Sequence, residues 1–305
     1  MKKYLLTRIL HSFISMVGLI LLVFFLVRLT GNPANLYLPD DVSLEVLQAF
    51  SERHGFNDPV LVQFGRFASE LMHLDMGNSL RQDRPALTIV LEAMPTTLSL
   101  AVVTMTLAVI LSIVIGAIAA YRPAGIFDRI GTILSLGSAS APDFWVAIML
   151  ILFLAVKLRL VPTSGPGGFE YWVLPIMVLI LRPTGLLIQV VRASMITVLA
   201  SPYIRTARAK GVGERAILFV HALRNAGLSF ITVAGDQAVG FVNGAVIVET
   251  IFGWPGVGKL MIDAIIQRDF AVVQAAVVVT ASAIFLMNIG IDIIYAVLDP
   301  RIRYR

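Results

Sequence analysis

Three ionisable side chains stand where charge is rarely placed. Asp143, Arg182 and Asp236 each lie inside a long apolar run. A charge held away from water pairs with another charge, faces the interior of a helix bundle, or lines an aqueous cavity. Gln237 and Asn243 follow Asp236 and add neutral hydrogen-bonding groups to the same run. These five residues form a first candidate site, a translocation path in which Arg182 pairs with one of the carboxylates. An interhelical ion pair that only fixes packing accounts for the same charges, because a pair satisfies both partners without any ligand.

Other chemistry is thin. The chain has no cysteine, which removes disulfides, thiolate catalysis and Cys-based metal sites. His11, His54, His73 and His221 are scattered without ligand spacing, so no metal site is expected. No nucleophile stands beside a base, and Asp40-Asp41 reads as a solvated turn, so no catalytic residue is expected. Gly253 to Leu260 reads GWPGVGKL and nearly matches a phosphate-binding loop. Leu260 stands where that loop needs a hydroxyl for Mg²⁺, and no strand precedes it, so the match is rejected. Its glycines and Pro255 suit a re-entrant turn instead.

The elements that must position these residues follow from composition. Hydrophobic residues make up 58% of 305 and charged residues 14%. A soluble domain carries roughly 25% charged residues, so the chain reads as an all-α, polytopic membrane protein. Spans of about 20 apolar residues are expected at 9–30, 96–120, 131–157, 173–195, 228–250 and 275–298. The first run is too long for a signal peptide and lacks a cleavage site. With six spans drawn, fourteen of the 24 Lys and Arg fall on one side. They lie in 1–8, 122–129, 192–228 and 301–305, which places both termini in the cytoplasm. Pro142 and Pro183 are expected to kink their spans. Gly116, Ala117, Ala119 and Ala120, with Gly235, Ala238, Gly240, Gly244 and Ala245, allow close helix approach.

Residues 31–95 are too polar to span and carry nine acids against Arg53, Arg66, Arg81 and Arg84. Apolar residues recur at helical spacing in Val42–His54 and Val60–His73. Asp40 or Ser43 is expected to cap the first helix, and Asp58 with Pro59 to start the second. The region reads either as a helical cap on the outer face or as a docking surface.

Tyr203 to Asn225 reads YIRTARAKGVGERAILFVHALRN. It is basic, helix-prone and interrupted by glycine, with room for a short helix, a hinge at Gly211 and a second helix. Positive charge between two spans fits a cytoplasmic loop or a lipid-binding patch. A structured loop of this length also suits a docking role.

Four stretches together carry a resemblance: LTGNPA (Leu29–Ala34), YIRTARAKG with HALRNA (Tyr203–Ala226), VETIFGWPGVGKL…QRDFAVVQA (Val248–Ala275) and LDPRIR (Leu298–Arg303). They resemble the first permease subunit of bacterial ABC importers for dipeptides, oligopeptides and nickel, over nearly the whole chain. The resemblance implies a type I ABC importer permease core in the second to sixth spans. It divides the chain into a tail and first helix (1–30), an extracytoplasmic helical insertion (31–95), a core (96–298) with a cytoplasmic coupling loop at 196–227, and a tail (299–305).

The family loop reads Glu-Ala-Ala, then Gly four residues later, then an Ile-x-Leu-Pro end. Aligned on Gly211, Arg205, Thr206 and Ala207 take the first three places. His221, Ala222, Leu223 and Arg224 take the last four, so the acid and the proline are both replaced. The resemblance makes this EAA-type loop the contact with an ATPase, through Tyr203, Arg205, Thr206, Ala207, Arg208, Lys210, Gly211, His221 and Leu223. It implies a heterodimer with a second permease, two ATP-binding subunits or domains, and a periplasmic or lipid-anchored solute-binding protein that docks on 31–95 and on Trp254, Pro255 and Lys259. ATP and Mg would be bound by the partners, leaving no cofactor and no enzymatic activity in this chain, and no nucleic acid is implicated. The location implied is the bacterial inner membrane, and the substrate a short peptide or peptide-like solute. A nickel or metal-chelate permease is the alternative within the family. A secondary transporter driven by an ion gradient, using Asp143 and Asp236, is the alternative outside it. That mechanism calls for inverted repeats, which the sequence lacks. A membrane scaffold gives no reason for three buried charges on separate spans.

Overall fold

Long apolar runs have few options in lipid, because every backbone N–H and C=O needs a partner inside the chain and a helix supplies them within one segment. The computed structural model accordingly is helical almost throughout. It describes residues 2–29, 34, 38, 42–53, 55–79, 81–165 and 167–298, without the side chains of 2–9, 12, 23, 26–29, 139, 228, 242, 243 and 295–298. The expected features at 30–33, Asp40, Asp41, His54 and the tail cations Arg301, Arg303 and Arg305 therefore lie outside the described residues, as does the side chain of Asn243.

The helices are α1 (Lys2–Leu29), α2 (Leu44–Arg53), α3 (Val60–Met72), α4 (Ala86–Tyr121), α5 (Ile126–Ser140), α6 (Asp143–Leu150), α7 (Glu170–Leu179), α8 (Leu181–Leu199), α9 (Pro202–Ala209), α10 (Glu214–Ala216), α11 (Leu223–Ile251), α12 (Val257–Ile266) and α13 (Phe270–Leu298). Wider π-helical turns at Ile151–Lys157 and Ile217–Ala222 extend α6 and join α10 to α11. Two short strands, β1 (Asn78–Ser79) and β2 (Arg84–Pro85), pair antiparallel with Asn78 opposite Pro85.

Of the expected spans, Ala86–Tyr121 and Phe270–Ile294 are unbroken helices long and apolar enough to cross a membrane, and three bent pairs raise the number to five. Proline explains two of the breaks. Pro142 has no N–H and takes an extended conformation (φ −65°, ψ 141°) that ends α5 and starts α6. Pro183 leaves the Leu179 carbonyl without its i+4 donor, and the chain bends by 51° between α7 and α8. Helix α4 begins ten residues before the apolar run expected from 96, and Ala86, Ile89, Val90 and Met94 of its opening turns are buried. Arg84 and Glu92 bond there at 2.6 Å. At the external helices, Ser43 Oγ accepts a long 3.5 Å hydrogen bond from Val46 N–H at the start of α2. Asp58 does not cap α3 but binds Arg66 at 2.7 Å.

Two compact units form, one from residues 1–95 with 256–289 and one from 96–255 with 290–305. In the first, Phe24 of α1 is buried and stacks on Phe67 of α3, centroids 5.3 Å apart. The expected insertion 31–95 is not self-standing. Ser79 donates a hydrogen bond to the buried carboxylate of Asp269, and the Arg81 guanidinium donates to the Gln267 carbonyl at 3.2 and 3.3 Å. These bonds tie the β1–β2 hairpin to the start of α13.

The second unit has two apolar clusters. One joins Leu100 and Met105 of α4 to Leu174 and Val178 of α7 and to Phe241 and Val248 of α11. The other joins Ala117 and Ala120 of α4 to Leu187, Val191 and Met195 of α8, and to Ile204, Ile217 and Phe230. Glycine sets the closest approach. A Cβ on Gly185 of α8 would lie 2.5 Å from Ser138 Oγ and 2.9 Å from the Ser135 backbone of α5. Gly185→Leu is therefore expected to lower the thermal midpoint of the detergent-purified chain by several degrees, in line with an overpacking penalty of about 1–3 kcal/mol. Gly137→Ala, at a helical glycine with open space around it, is expected not to lower the midpoint in the same tryptophan-fluorescence melt.

Candidate functional site

The basic loop is built from a short helix, a turn and a second helix. Ser201 is extended (φ −70°, ψ 151°) and Pro202 occupies the first helical position, where its missing N–H has no partner to lose. Helix α9 then buries one side chain, Ile204, which is fully enclosed in the second apolar cluster. Tyr203, Arg205, Thr206, Arg208 and Lys210 are exposed, and Ala207 is half-buried.

The helix stops at Gly211, whose φ of +77° favours glycine and whose Cβ position faces open space. Gly211 N–H donates to the Arg208 carbonyl at 3.0 Å, and Val212 N–H to the Ala207 carbonyl at 3.1 Å. This pair of bonds is a Schellman turn. Across it the Arg208 guanidinium donates two hydrogen bonds to Glu214, at 2.9 and 3.3 Å. That fork is a charge-assisted brace between α9 and α10, and it holds the Arg208 pKa above its ordinary value. The expected cation cluster is therefore not wholly free. Arg208 is engaged internally, while exposed Arg205, Lys210, Arg215 and Arg224 form no ion pair among the described residues. On the far side, Leu223 is half-buried and His221 exposed. The Asn225 amide joins the two halves, donating to Tyr203 Oη at 2.7 Å and to the His221 carbonyl at 3.2 Å.

The candidate path is partly assembled. Asp143 is the first residue of α6 after the Pro142 break, and Arg182 the second residue of α8 after the bend. Their side chains meet at 3.5 Å. A carboxylate at a helix N-terminus is favoured by the helix dipole, whereas a guanidinium there is not, so Asp143 compensates the placing of Arg182. Both line a cavity of about 250 Å³ with Gln237, Gly240, Phe241 and Gly244 of α11. The Arg182 side chain is 58% exposed and that of Asp143 30%, so the pair is wet rather than sealed in packing. Asp236 is exposed and is not among the residues lining this cavity, so the path holds three of the five expected residues.

Sequence reasoning missed a second polar cluster in this unit. Glu249 is fully buried near the end of α11 and accepts a hydrogen bond from Thr97 Oγ1 at 2.7 Å. Beside it, Trp254 Nε1 donates to the Thr96 carbonyl at 3.2 Å, and Thr96 Oγ1 donates to the Pro255 carbonyl at 2.5 Å. The Trp254 ring meets Trp172 edge-on, with centroids 4.7 Å apart. A carboxylate in the run VIVETIFGW was the available signal. Trp254, expected to present a docking surface, is 5% exposed and belongs to this clasp. Pro255 is exposed, and Lys259 is half-buried and paired with Asp263 one helical turn on.

Comparison with known proteins gives these sites a context. Residues 112–304 match the family described as the binding-protein-dependent transport system inner membrane component. The chain is 36% identical over 316 residues to the oligopeptide transport system permease protein AppB of Bacillus subtilis (strain 168), with all of both chains covered. It is 31% identical over 333 residues to the dipeptide transport system permease protein DppB of Alkalihalophilus pseudofirmus, and 32% identical over 306 residues to the glutathione transport system permease protein GsiC of Salmonella paratyphi A, again over the whole of each chain. Among solved structures, a chain of the inward-facing MetNI methionine ABC transporter superposes with a TM-score of 0.57 at 16% identity, covering 69% of this chain and 96% of that one. A chain of an amino acid ABC transporter superposes with a TM-score of 0.52 at 14% identity, covering 70% and 94%. The fold is thus that of ABC importer permeases, and the chain belongs to the family of inner membrane components of binding-protein-dependent transport systems.

Proposed function

We propose that this chain is one of two membrane subunits of an ATP-driven importer, and that it passes short peptides or peptide-like solutes delivered by a solute-binding protein. The observation that carries the reading is the loop 202–225: a short helix with one buried anchor, a glycine turn and a charged brace, presenting Arg205 and Lys210 outward. A stiff helix seated in a groove of a partner makes many contacts at once and so transmits rigid-body motion. Full-length similarity to relatives named for oligopeptides, dipeptides and glutathione supports a peptide substrate ahead of a nickel chelate or an ion-gradient mechanism.

In this reading six spans cross the inner membrane with both termini in the cytoplasm. A second permease completes the path, and two ATP-binding subunits or domains grip the loop and its counterpart. The Asp143–Arg182 cavity belongs to the path, where a wet, separable ion pair offers complementary charges to a zwitterionic solute. The clasp of Thr96, Thr97, Glu249 and Trp254 sits at one end of α11 and holds it to α4.

The test is to purify the chain with its partner subunits, reconstitute the complex, and follow ATP hydrolysis and uptake of a labelled tripeptide with and without the binding protein. Stimulation of both by the binding protein is expected. Gly211→Pro fixes φ near −65° where +77° is needed, and is expected to abolish stimulated hydrolysis while the membrane subunits still assemble. Arg205→Glu reverses an outward charge and is expected to weaken ATPase association about tenfold, the scale of a charge-assisted contact of about 1.5–3 kcal/mol. Arg182→Gln is expected to lower uptake several-fold with normal assembly. Impaired assembly with uptake intact would show that the pair only fixes packing.

A further inference from the structure

The unit formed by 1–95 and 256–289 holds an apolar groove of about 290 Å³ between α1 and α3. Phe13, Val17 and Ile20 of α1 form one wall, and Phe64, Leu71 and Met72 of α3 the other. Among the described residues no charged side chain lines it.

Helix α3 presents three faces. Gln63, Arg66 and Glu70, spaced three and four apart, line a polar cleft. Polar groups are engaged on that side. The Gln63 amide donates to the carbonyls of Phe56 and Asp58 at 3.0 and 2.9 Å, and Arg66 meets Asp58. Phe64 and Phe67 turn to Phe24 of α1, each with its ring centroid 5.3 Å away. Leu61, Gly65, Ala68 and Met72 recur at i, i+4, i+7 and i+11 and make a third, apolar edge. Leu61 is 77% exposed and Met72 78%, and a Cβ on Gly65 would face open space. A helix with one polar face and a bare apolar edge suits the boundary of a bilayer.

Depth decides what covers this edge. Met16 lines the groove, and its sulfur accepts a weak hydrogen bond from Ser282 Oγ at 3.7 Å. Ser282 follows Phe270 by twelve residues in the unbroken span Phe270–Ile294. At a rise of about 1.5 Å per residue it lies about 18 Å along that span. The hydrocarbon layer is about 30 Å thick, so the Met16 end of the groove lies within it. Asp269, one residue before the span, binds Ser79, so the chain leaving α3 returns to the end of the span. A soluble partner meets the ends of spans, whereas a groove on the side of a span at this depth meets lipid tails. The chain belongs to an inner membrane family, so the groove continues a lipid-facing surface.

We propose that α3 dips into the membrane boundary and that the groove between α1 and α3 takes an acyl chain of a phospholipid. Leu61 and Met72 then lie in the apolar layer, and Gln63, Arg66 and Glu70 face the polar side. The proposal rests on the inner membrane family and not on the identity of the solute. It gives this part of 31–95 to lipid rather than to a binding protein.

The chain has no cysteine, so a single introduced one reports alone. The full chain is made as Met72→Cys or Glu70→Cys and labelled with bimane. It is placed in phosphatidylethanolamine–phosphatidylglycerol vesicles, first by itself and then assembled with cysteine-free partner subunits. Phosphatidylethanolamine brominated on its acyl chains quenches a label in hydrocarbon, and iodide quenches one in water. The label at 72 is expected to be quenched several-fold more by the brominated lipid than the label at 70, with the reverse order for iodide. In detergent micelles carrying only a few brominated lipids per chain, quenching at 72 is expected to persist. Ala68→Phe, which fills the groove from α3, is expected to reduce it several-fold with an unchanged thermal midpoint. Iodide quenching at 72 equal to that at 70 overturns the proposal, because the edge then faces water. Shielding of 72 from both quenchers in the assembled complex also overturns it, because a protein subunit then covers the groove. Quenching in vesicles that vanishes in lipid-poor micelles removes the acyl-chain site, and so does quenching that ignores Ala68→Phe.

Discussion

The structure depends on the need to satisfy backbone hydrogen bonds without water. An unbroken helix meets that need residue by residue, and α4 and α13 are of this kind. A break exposes backbone donors and acceptors and has to be compensated locally. In the second unit two of the three breaks fall at Pro142 and at the bend before Pro183, and each of these two is followed at once by an ionisable residue. Asp143 sits on the new N-terminus of α6, where free N–H groups favour an anion. Arg182 sits on the new N-terminus of α8, where they do not, and the nearby carboxylate offsets it at 3.5 Å. The same interruptions that relax the helices also bring the charges together beside the Gln237 face of α11.

Much of this was readable from the chain because the signals were local. The apolar runs fixed the helices. The prolines fixed two breaks, and the placing of Gly211 fixed a turn, since a glycine that ends an apolar-anchored basic helix has few other uses. The helical spacing of 42–54 and 60–73 returned as α2 and α3 within two residues at each end. What escaped notice was non-local. Whether Asp236 joins Asp143 and Arg182 depends on the rotation of α11, which a single helix does not encode, and it turns to an exposed position while Gln237 faces the cavity. The start of α4 was hidden because Glu92 and Pro95 interrupt an otherwise apolar opening, whose Ala86, Ile89, Val90 and Met94 are buried. Trp254 read as surface because it lies beside Pro255 and two glycines, yet its ring found Trp172, more than eighty positions earlier in the chain.

Asp143 and Glu249 stand in contrasting environments. Asp143 is partly open to its cavity and faces a guanidinium it can release, because a wet ion pair is held by little. Glu249 is fully enclosed, takes a hydroxyl bond from Thr97, and lies beside further threonine and tryptophan bonds. Breaking the buried Thr97–Glu249 bond leaves an enclosed carboxylate short of a donor, so it behaves as a fixed point. Under the proposed function, a path that opens and closes is better lined by the first kind of group and hinged against the second.

Under the proposed function, the loop extends this logic to a partner subunit. Helix α9 has one fully buried side chain, Ile204, so its hold on the second unit is narrow. A narrow hold would make a floppy lever were the helix not braced elsewhere. Two features supply the bracing: the Arg208–Glu214 fork fixes the angle across Gly211, and Asn225 ties the start of α11 back to Tyr203. Force applied to the exposed face at Arg205 and Lys210 then has two routes into the bundle, through Ile204 into the apolar cluster and through Asn225 into α11. Helix α11 carries both Gln237 of the cavity and Glu249 of the clasp. Helix α11 bends by 65° between Gly227 and Ser229, so a displacement of the loop reaches the cavity and the clasp through a joint that lies between Asn225 and Gln237.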